Sequence, residues 1–133
     1  AIVLMTFDPD EVSRYWLSEY CPEMPEADGS RFPTLKRLTE ILGPLEIRSL
    51  RIPLDCRDGF QEAFYGRPEA LLDPLIRRAQ SGWDFVPAGA EDRFVESLSR
   101  DLASGRWDER FGYLRTKPYY EGALKLVVHR QKE

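Results

Sequence analysis

Polar side chains follow the ends of two apolar segments, and these positions are the first places to look for chemistry. The segment AIVLMTF is followed by Asp8, and the segment that ends at Leu54 is followed by Asp55 and Asp58. In open α/β sheets, ligands bind beyond the carboxyl ends of the strands. Capping of a helix by Asp8 and turn formation by residues 55–60 are the structural alternatives. The candidate substrate-binding residues at these two ends are Phe7, Asp8, Asp55, Asp58 and Phe60.

Aromatic side chains provide the other candidates for a binding pocket. Tyr15 and Trp16 could form a pocket wall, because aromatic rings attract cations and bury apolar surface. Packing of the same two rings against a sheet is the alternative. Eleven of the 16 aromatic residues lie in the segment 55–120, which is predicted to be a helical lid or insertion with a small core of its own. Phe64 and Tyr65 are the substrate-binding candidates within that segment.

The sequence identifies no catalytic residue and no metal site. His129 is the only histidine, and it could act as a general base, although a histidine beside a charged tail is more typical of exposed surface. Arg77 and Arg78 are interpreted as a solvated helix face. Cys21 and Cys56 have no second cysteine or histidine at ligand spacing, so neither a zinc site nor a disulfide framework is predicted. Two reduced thiols are typical of a cytoplasmic protein.

Composition limits the classes of protein and of partner. A chain of 133 residues is long enough for one domain with a core, and 42% hydrophobic with 32% charged residues argues against disorder. The net charge is −4, and the 19 basic residues are interspersed with 23 acidic ones, without a basic stripe. The first apolar segment is shorter than the roughly 20 residues that span a bilayer, and it lacks the features of a secretory signal. Neither nucleic acid nor a membrane is therefore expected as a partner.

Three segments have the apolar patterns of strands. Residues 1–7 are apolar on both faces, which is typical of a central strand covered by helices on both sides. Residues 45–54 alternate but change phase near Arg48 and Ser49, which predicts a β-bulge there. Residues 123–128 are mostly apolar and form the third predicted strand.

The remaining segments have helical patterns, apart from the proline-rich stretch 21–33, which is predicted to be a loop. Asp8 and Glu11 have the spacing of a capping box at the start of a helix. Residues 33–42 and 91–103 each place their leucines on one face, and a glycine follows shortly after each. Shorter helices are predicted to start at Asp58 with Gln61 as a capping box, at Pro68, and at Asp73 with Pro74.

The order of these elements predicts an α/β fold in one domain, residues 1–133. Because helices separate the first two strands, they are expected to run parallel through a right-handed crossover. The third strand is expected between them and antiparallel, which gives the order first, third, second. The outer edge of the first strand is then unpaired, which is a liability in water. Either a larger sheet continues beyond it, or two copies of the isolated chain pair through this strand.

Four segments resemble the C-terminal half of class I S-adenosylmethionine-dependent methyltransferases of the small-molecule type, which have a helical lid. AIVLMTFDPD resembles the fifth strand of that family, which often reads LVLLTFDP, and the helix ending in ILG resembles its last long helix. LEIRSLRIPLDCRDGF resembles the sixth strand. ALKLVVHR resembles the seventh, which inserts antiparallel between the fifth and sixth. The resemblance implies a partial Rossmann-like sheet of about three strands with a helical insertion.

The same resemblance implies that a cofactor-binding half is missing. Family members hold S-adenosylmethionine with a GxGxG loop, an acidic residue after the second strand and an aspartate motif on the third. None of these motifs is present, and PAGAED at 87–92 follows no strand. The chain is therefore expected to be the substrate-binding and lid portion of a methyltransferase that acts on a small molecule, inactive alone and without cofactor-binding residues. The alternative is a non-enzymatic α/β module that binds a ligand or a partner.

Overall fold

A three-stranded sheet forms one side of the molecule in the computed structural model, which describes residues 1–132. The strands are β1 (Ile2–Phe7), β2 (Glu46–Pro53) and β3 (Tyr119–His129). Their order is β1-β3-β2, and β3 runs antiparallel to both neighbours. β1 and β2 therefore point in the same direction, so the predicted strand order and strand directions are confirmed.

Within residues 1–132, six α-helices and five 3₁₀ helices connect and cover the strands. The α-helices are α1 (Leu17–Tyr20), α2 (Glu23–Arg31), α3 (Leu35–Leu42), α4 (Pro74–Arg78), α5 (Ala90–Ser104) and α6 (Arg106–Phe111). The 3₁₀ helices are Val12–Arg14, Gln61–Phe64, Pro68–Leu72, Ser81–Phe85 and Gly112–Thr116. Seven of these eleven helices lie between β2 and β3, so the insertion is helical, as predicted.

The bulge predicted in β2 is wrong, because the irregularity lies in β3, opposite nearly the same position of β2. The register shifts between Ser49 and Arg51, which face Lys125 and Glu121 respectively. Between these two pairs β2 advances by two residues while β3 advances by four, so the extra residues belong to β3. Gly122 lies in this stretch, where an added Cβ atom would collide with a carboxylate oxygen of the buried Glu62. The close approach of the Glu62 side chain to the backbone of β3 requires glycine at position 122. A glycine inside a strand is typical of such an irregularity.

The predicted loop at 21–33 is wrong, because residues 23–31 form helix α2. Pro22 precedes the helix and Pro25 lies in its first turn, where backbone N–H groups have no partner within the helix. The prolines therefore cost no helical hydrogen bond. Met24 is buried in the core and anchors the helix, so tertiary packing outweighs the turn-forming composition.

The helix predicted to start at Asp8 is also wrong. Oδ1 of Asp8 accepts a hydrogen bond from the N–H of Asp10 at 3.0 Å, which makes a turn instead of a helix cap. The carboxylate of Glu11 forms an ion pair with Lys125 at 2.6 Å and does not complete a capping box. Two short helices, Val12–Arg14 and α1, replace the single one.

Three other predicted helices are confirmed. Oγ1 of Thr34 accepts from the N–H of Arg37 at the start of α3, and Asp73 caps α4 in the same way. α5 ends at Gly105, whose φ of 81° suits the left-handed end of a helix. The capping box predicted at Asp58 does not form, because Asp58 Oδ1 accepts from the N–H of Gly59 and the helix there starts later, at Gln61.

The core lies where the helical insertion packs against α1 and α2. At its centre is an aromatic group that we call the tryptophan cluster, which consists of Trp16, Tyr20, Trp107 and Phe111. The ring centroids of Trp16 and Trp107 are 5.4 Å apart, edge to face, and Trp107 is completely buried. Edge-to-face aromatic pairs at this spacing stabilise a core beyond the area that they bury.

The interpretation of the arginine pair in α4 as solvated holds only for Arg78, which is exposed. Arg77 is buried, and its guanidinium donates to the backbone oxygen of Leu71 and to Glu91, both at 2.8 Å. A buried guanidinium is tolerated because these partners satisfy it. Arg77 therefore ties α4 to α5 and to the 3₁₀ helix before α4.

Strand β1 is at the edge of the sheet that the described residues form. Its side chains Val3 and Met5 are 61% and 68% exposed, so helices do not cover both faces in residues 1–132. Within those residues, one edge of β1 pairs with β3 and the other has no strand beside it. An uncovered apolar edge strand is unusual for a monomer.

Candidate functional site

A cavity of about 380 Å³ lies beyond the carboxyl ends of the parallel strands β1 and β2. Phe7, the last residue of β1, lines one side of it. The segment 58–62, which follows β2, lines another, and α2 with the segment 79–82 closes the remainder. This is the position where open α/β sheets bind ligands, and the volume lies within the usual range of small-molecule sites.

Three half-buried rings form an apolar side of the cavity, which we call the phenylalanine wall: Phe7, Phe32 and Phe60. The centroid of the Phe7 ring is 5.6 Å from that of Phe32 and 5.9 Å from that of Phe60. Tyr15 also lines the cavity, and its hydroxyl donates to the backbone oxygen of Gln61 at 2.8 Å. This bond fixes the tyrosine against the segment that follows β2.

A carboxyl group belongs to the polar part of the cavity lining. Glu62 is only 4% exposed, and its two oxygens accept from the single N–H of Ala123 at 3.0 and 3.2 Å. That N–H is free because the irregularity in β3 removes it from the ladder with β2. The bulge therefore positions a buried carboxylate at the cavity.

The environment of Glu62 favours its neutral form. Burial raises the pKa of Glu62 to about 7, and the Ala123 N–H and the Lys125 ammonium only partly oppose this effect. The nearby carboxylates of Glu11 and Asp28 raise it further. A carboxyl group with a pKa near neutrality can accept or release a proton under physiological conditions.

Asp28 and Arg31 form the second polar feature of the cavity, and both come from α2. Burial raises the pKa of Asp28, and the guanidinium of Arg31, 3.6 Å away, opposes the shift. Arg31 also donates to Ser81 Oγ at 2.6 Å and lies over the ring of Phe85 at 4.3 Å. The one arginine of the cavity is therefore already engaged with protein groups.

Four of the nine predicted site residues line this cavity: Phe7, Tyr15, Asp58 and Phe60. The other five lie elsewhere. Asp8 is buried and bonds to the N–H of Asp10, while Asp55 is exposed and lines a separate groove near Pro53.

The remaining three predicted residues belong to the core. Nε1 of Trp16 donates to the backbone oxygen of Tyr65 at 3.1 Å. The hydroxyl of Tyr65 donates to the backbone oxygen of Lys117. The ring of Phe64 is buried, with the Arg67 guanidinium 4.9 Å from its centroid. None of these three lines the cavity.

Glu62, Asp28, Arg31 and Gln80 line the cavity, and none of them was predicted from the sequence. The loop interpretation of 21–33 concealed Asp28 and Arg31, because in a loop their shared helix face does not exist. A recognised helix would have placed the pair one turn apart. Glu62 has no local signal, since its burial depends on a strand about 60 residues later in the chain.

His129 is at the other end of the sheet. It is the last residue of β3 and pairs with Ile2 at the start of β1, whereas the cavity lies beyond the end of β1. Its Nδ1 is 3.3 Å from the backbone oxygen of Pro44, and the ring is half-buried instead of exposed. The hypothesis that His129 serves as a base has no support from this position.

Comparison with solved structures gives one informative match. The chain superposes with a TM-score of 0.83 and 27% sequence identity on a crystal structure from Anabaena variabilis ATCC 29413, described as a "putative methyltransferase from antibiotic biosynthesis pathway". The fold of this chain is methyltransferase-like. The match covers 95% of this chain but 53% of the other, so the chain spans about half the length of the protein that it matches. No family model and no curated protein matches the sequence.

The described residues do not fit S-adenosylmethionine in the way that the methyltransferase resemblance requires. The resemblance requires a glycine-rich turn between a strand and a helix, but within residues 1–132 β1 is followed by Asp8, Pro9 and Asp10, and β2 by Leu54, Asp55 and Cys56. Within residues 1–132, the glycines with positive φ are Gly43, Gly89 and Gly105, and all three flank helix ends. No reaction step through this cofactor is therefore assigned to these residues.

Among residues 1–132, no group of three or more histidine, cysteine, aspartate or glutamate side chains is arranged to hold a metal ion. Cys21 and Cys56 are not joined in a disulfide. In the same residues, no helix combines the length and the hydrophobicity needed to cross a bilayer.

Proposed function

We propose that the chain is the acceptor-binding portion of a methyltransferase that moves a methyl group from S-adenosylmethionine to a small molecule. The cofactor would be held by residues outside this chain. The methyltransferase-like fold supports this assignment, together with the share of the matched protein that this chain leaves uncovered. The observation that carries the proposal is the aromatic cavity at the carboxyl ends of β1 and β2.

In this proposal the residues of the chain bind and orient the acceptor. The phenylalanine wall excludes water from one side, and the helical insertion contributes segments 58–62 and 79–82 as a lid over the other. Methyl transfer depends mainly on alignment of donor and acceptor, so such a cavity contributes by positioning. S-adenosylmethionine would supply the methyl group from the adjoining portion.

The free edge of β1 is the proposed junction with that cofactor-binding portion. Val3 and Met5 are mostly exposed, and an unpaired strand edge is a template for another strand. We propose that a strand from the cofactor-binding portion pairs there and extends the sheet. The part of the matched protein beyond this chain's coverage is long enough to provide it.

Titration calorimetry with S-adenosylmethionine tests the proposal. The 133-residue chain should give no heat of binding, whereas the same chain preceded by the residues encoded upstream of Ala1 should bind. The longer protein should then methylate members of a panel of small aromatic molecules, detected as a mass increase of one methyl group. A longer protein that binds no cofactor would refute the methyltransferase assignment.

One observation favours a second candidate, a non-enzymatic module that binds a small ligand. The described residues alone bring the phenylalanine wall and the buried carboxyl group of Glu62 to one cavity of about 380 Å³. If the gene begins at Ala1 and encodes no upstream portion, ligand binding without methyl transfer would be the remaining function. The same calorimetry distinguishes the two, because only the methyltransferase acquires cofactor affinity when the chain is extended.

A further inference from the structure

The charges around the cavity do not balance, and this imbalance points to the class of ligand. Three carboxyl groups line it, those of Asp28, Asp58 and Glu62, against the single guanidinium of Arg31. Arg31 is paired with Asp28 and bonded to Ser81. The cavity therefore has acceptors for positive charge and no free cation for an anionic ligand.

Glu62 is the acidic group with the most unused capacity. A carboxylate can accept about four hydrogen bonds, yet both oxygens of Glu62 share the one N–H of Ala123. Lys125, whose ammonium lowers the pKa of Glu62, pairs with Glu11 at 2.6 Å and donates to Ser49 Oγ at 2.9 Å. A buried carboxylate without a counter-ion is costly, and a ligand cation would remove that cost.

We propose that the cavity binds a small aromatic amine in its ammonium form, with the charged group held by Glu62 and the ring against Phe7, Phe32 and Phe60. The inference rests on the proposed function, for which it names the chemical class of the acceptor. The phenylalanine wall suits the aromatic body, and ring faces also attract a cation. An anionic ligand of the same shape would face Glu62 and Asp58 without a cation to pair with.

Amide resonances in ¹H–¹⁵N spectra of the 133-residue chain provide a direct test. The probe is 2-phenylethylamine, and its near-isostere 3-phenylpropanoate carries the opposite charge. The amine should shift the Ala123 resonance saturably in the millimolar range, and the carboxylate should not. Equal binding of both probes, or no shift with the amine, would overturn the proposal.

Substitution identifies the group responsible. Glu62→Gln keeps an oxygen to accept from Ala123, so the fold should survive, but affinity for the amine should fall at least about tenfold. Glu96→Gln makes the same chemical change on an exposed face of α5 and is the matched control, with affinity unchanged. Unchanged affinity in Glu62→Gln would contradict the role of this carboxylate.

Binding at two pH values gives a second measurement that needs no variant. The groups that face Glu62 are Lys125 and Tyr120 on β3, Asp28 on α2, Tyr15, and Glu11. If binding requires ionised Glu62, affinity should fall about thirtyfold between pH 8 and pH 5.5, while the amine stays protonated. Equal affinities would overturn the proposal. None of the three amine experiments involves the cofactor, so their failure leaves the calorimetric test of methyltransferase function standing.

Discussion

The tryptophan cluster and the phenylalanine wall consist of the same kind of side chain at the same spacing, but only one of them borders a cavity. Centroids in the cluster are 5.4 Å apart for Trp16 and Trp107, and in the wall 5.6 Å apart for Phe7 and Phe32. The cluster lies within the buried core that α5 and α6 help to form, whereas the wall, which takes Phe7 from the end of β1 and Phe32 from the end of α2, borders the cavity. Aromatic composition therefore does not separate a closed core from the lining of a cavity. What distinguishes them is whether other elements of the fold cover the rings.

The two regions also differ in how their polar atoms are satisfied. The indole nitrogen of Trp107 is buried and has no hydrogen-bond partner among residues 1–132, and the Arg115 guanidinium lies 4.9 Å from the centroid of its ring. At the cavity, Glu62 has a partner but keeps free acceptor capacity. The unpaired indole N–H of Trp107 costs stability, and close packing offsets this cost. The unused acceptor capacity of Glu62 is open to a ligand.

The largest expected loss of stability comes from a substitution in the tryptophan cluster. Trp107→Ala should lower the free energy of unfolding by about 3 to 5 kcal/mol, because it opens a large cavity in a closed core. Urea denaturation measures this loss. Trp107→Phe keeps a ring and removes the unpaired N–H, so it should cost about 1 to 2 kcal/mol. A loss below that range for the alanine variant would mean that the cluster is not the main core.

The next effect concerns Glu62 and depends on pH. Its pKa is about 7 in the folded chain and near 4.5 when unfolded, so the folded state binds the extra proton between these values. Stability is therefore lost as pH rises from about 4.5 to 7, and the penalty is complete above 7. Glu62→Gln should be more stable than the parent by about 2 to 3 kcal/mol at pH 8 and by much less at pH 5. Thermal or urea unfolding at both values measures it.

Glu96→Gln is again the control for this pH dependence, since its side chain is exposed and should leave both stabilities unchanged. A difference between Glu62→Gln and the parent that is the same at pH 5 and pH 8 would contradict the raised pKa.

A smaller effect is expected at the phenylalanine wall. Phe60→Ala should cost about 1 kcal/mol, because the ring is half-buried and borders open space. Its affinity for 2-phenylethylamine should nevertheless fall several-fold. If stability dropped as far as in Trp107→Ala while binding stayed intact, the wall would be a part of the core and not of a site.

The smallest effect on stability is expected at β1. Met5→Lys should change the free energy of unfolding by no more than about 0.5 kcal/mol, because the side chain is exposed. It should however block pairing through the β1 edge, which we propose makes the isolated chain self-associate. Light scattering should show dimers for the parent and for Leu75→Lys, an equally exposed control, but monomers for Met5→Lys. A parent that is monomeric at micromolar concentration would refute the edge-pairing proposal.

Strand order was predictable because each strand carries its own apolar pattern and the order of elements limits the topology. Helices α3, α4 and α5 were predictable for a similar local reason, since Thr34, Asp73 and Gly105 act on backbone groups a few residues away. α2 was missed because its prolines resemble a loop signal unless their place in the first turn is known.

The smaller part of the site was predictable from the sequence. Phe7 and Phe60 follow strand ends, so the rule for ligand position in α/β sheets found them. Trp16 and Tyr65 were assigned to the same pocket on ring type alone, and they proved to be core residues. The type of ring does not indicate whether the helical insertion will cover it.

The sequence by itself determined the α/β class, three strands with the third between the others, and the two strand ends beyond which the cavity lies. These follow from local apolar periodicity and from short-range capping, which act within a few residues. Only the tertiary structure decided that Glu62 is buried beside Ala123 and that Asp28 and Arg31 join it at the cavity. Those contacts depend on an irregularity in β3 and on packing between distant segments, and no local pattern encodes such contacts.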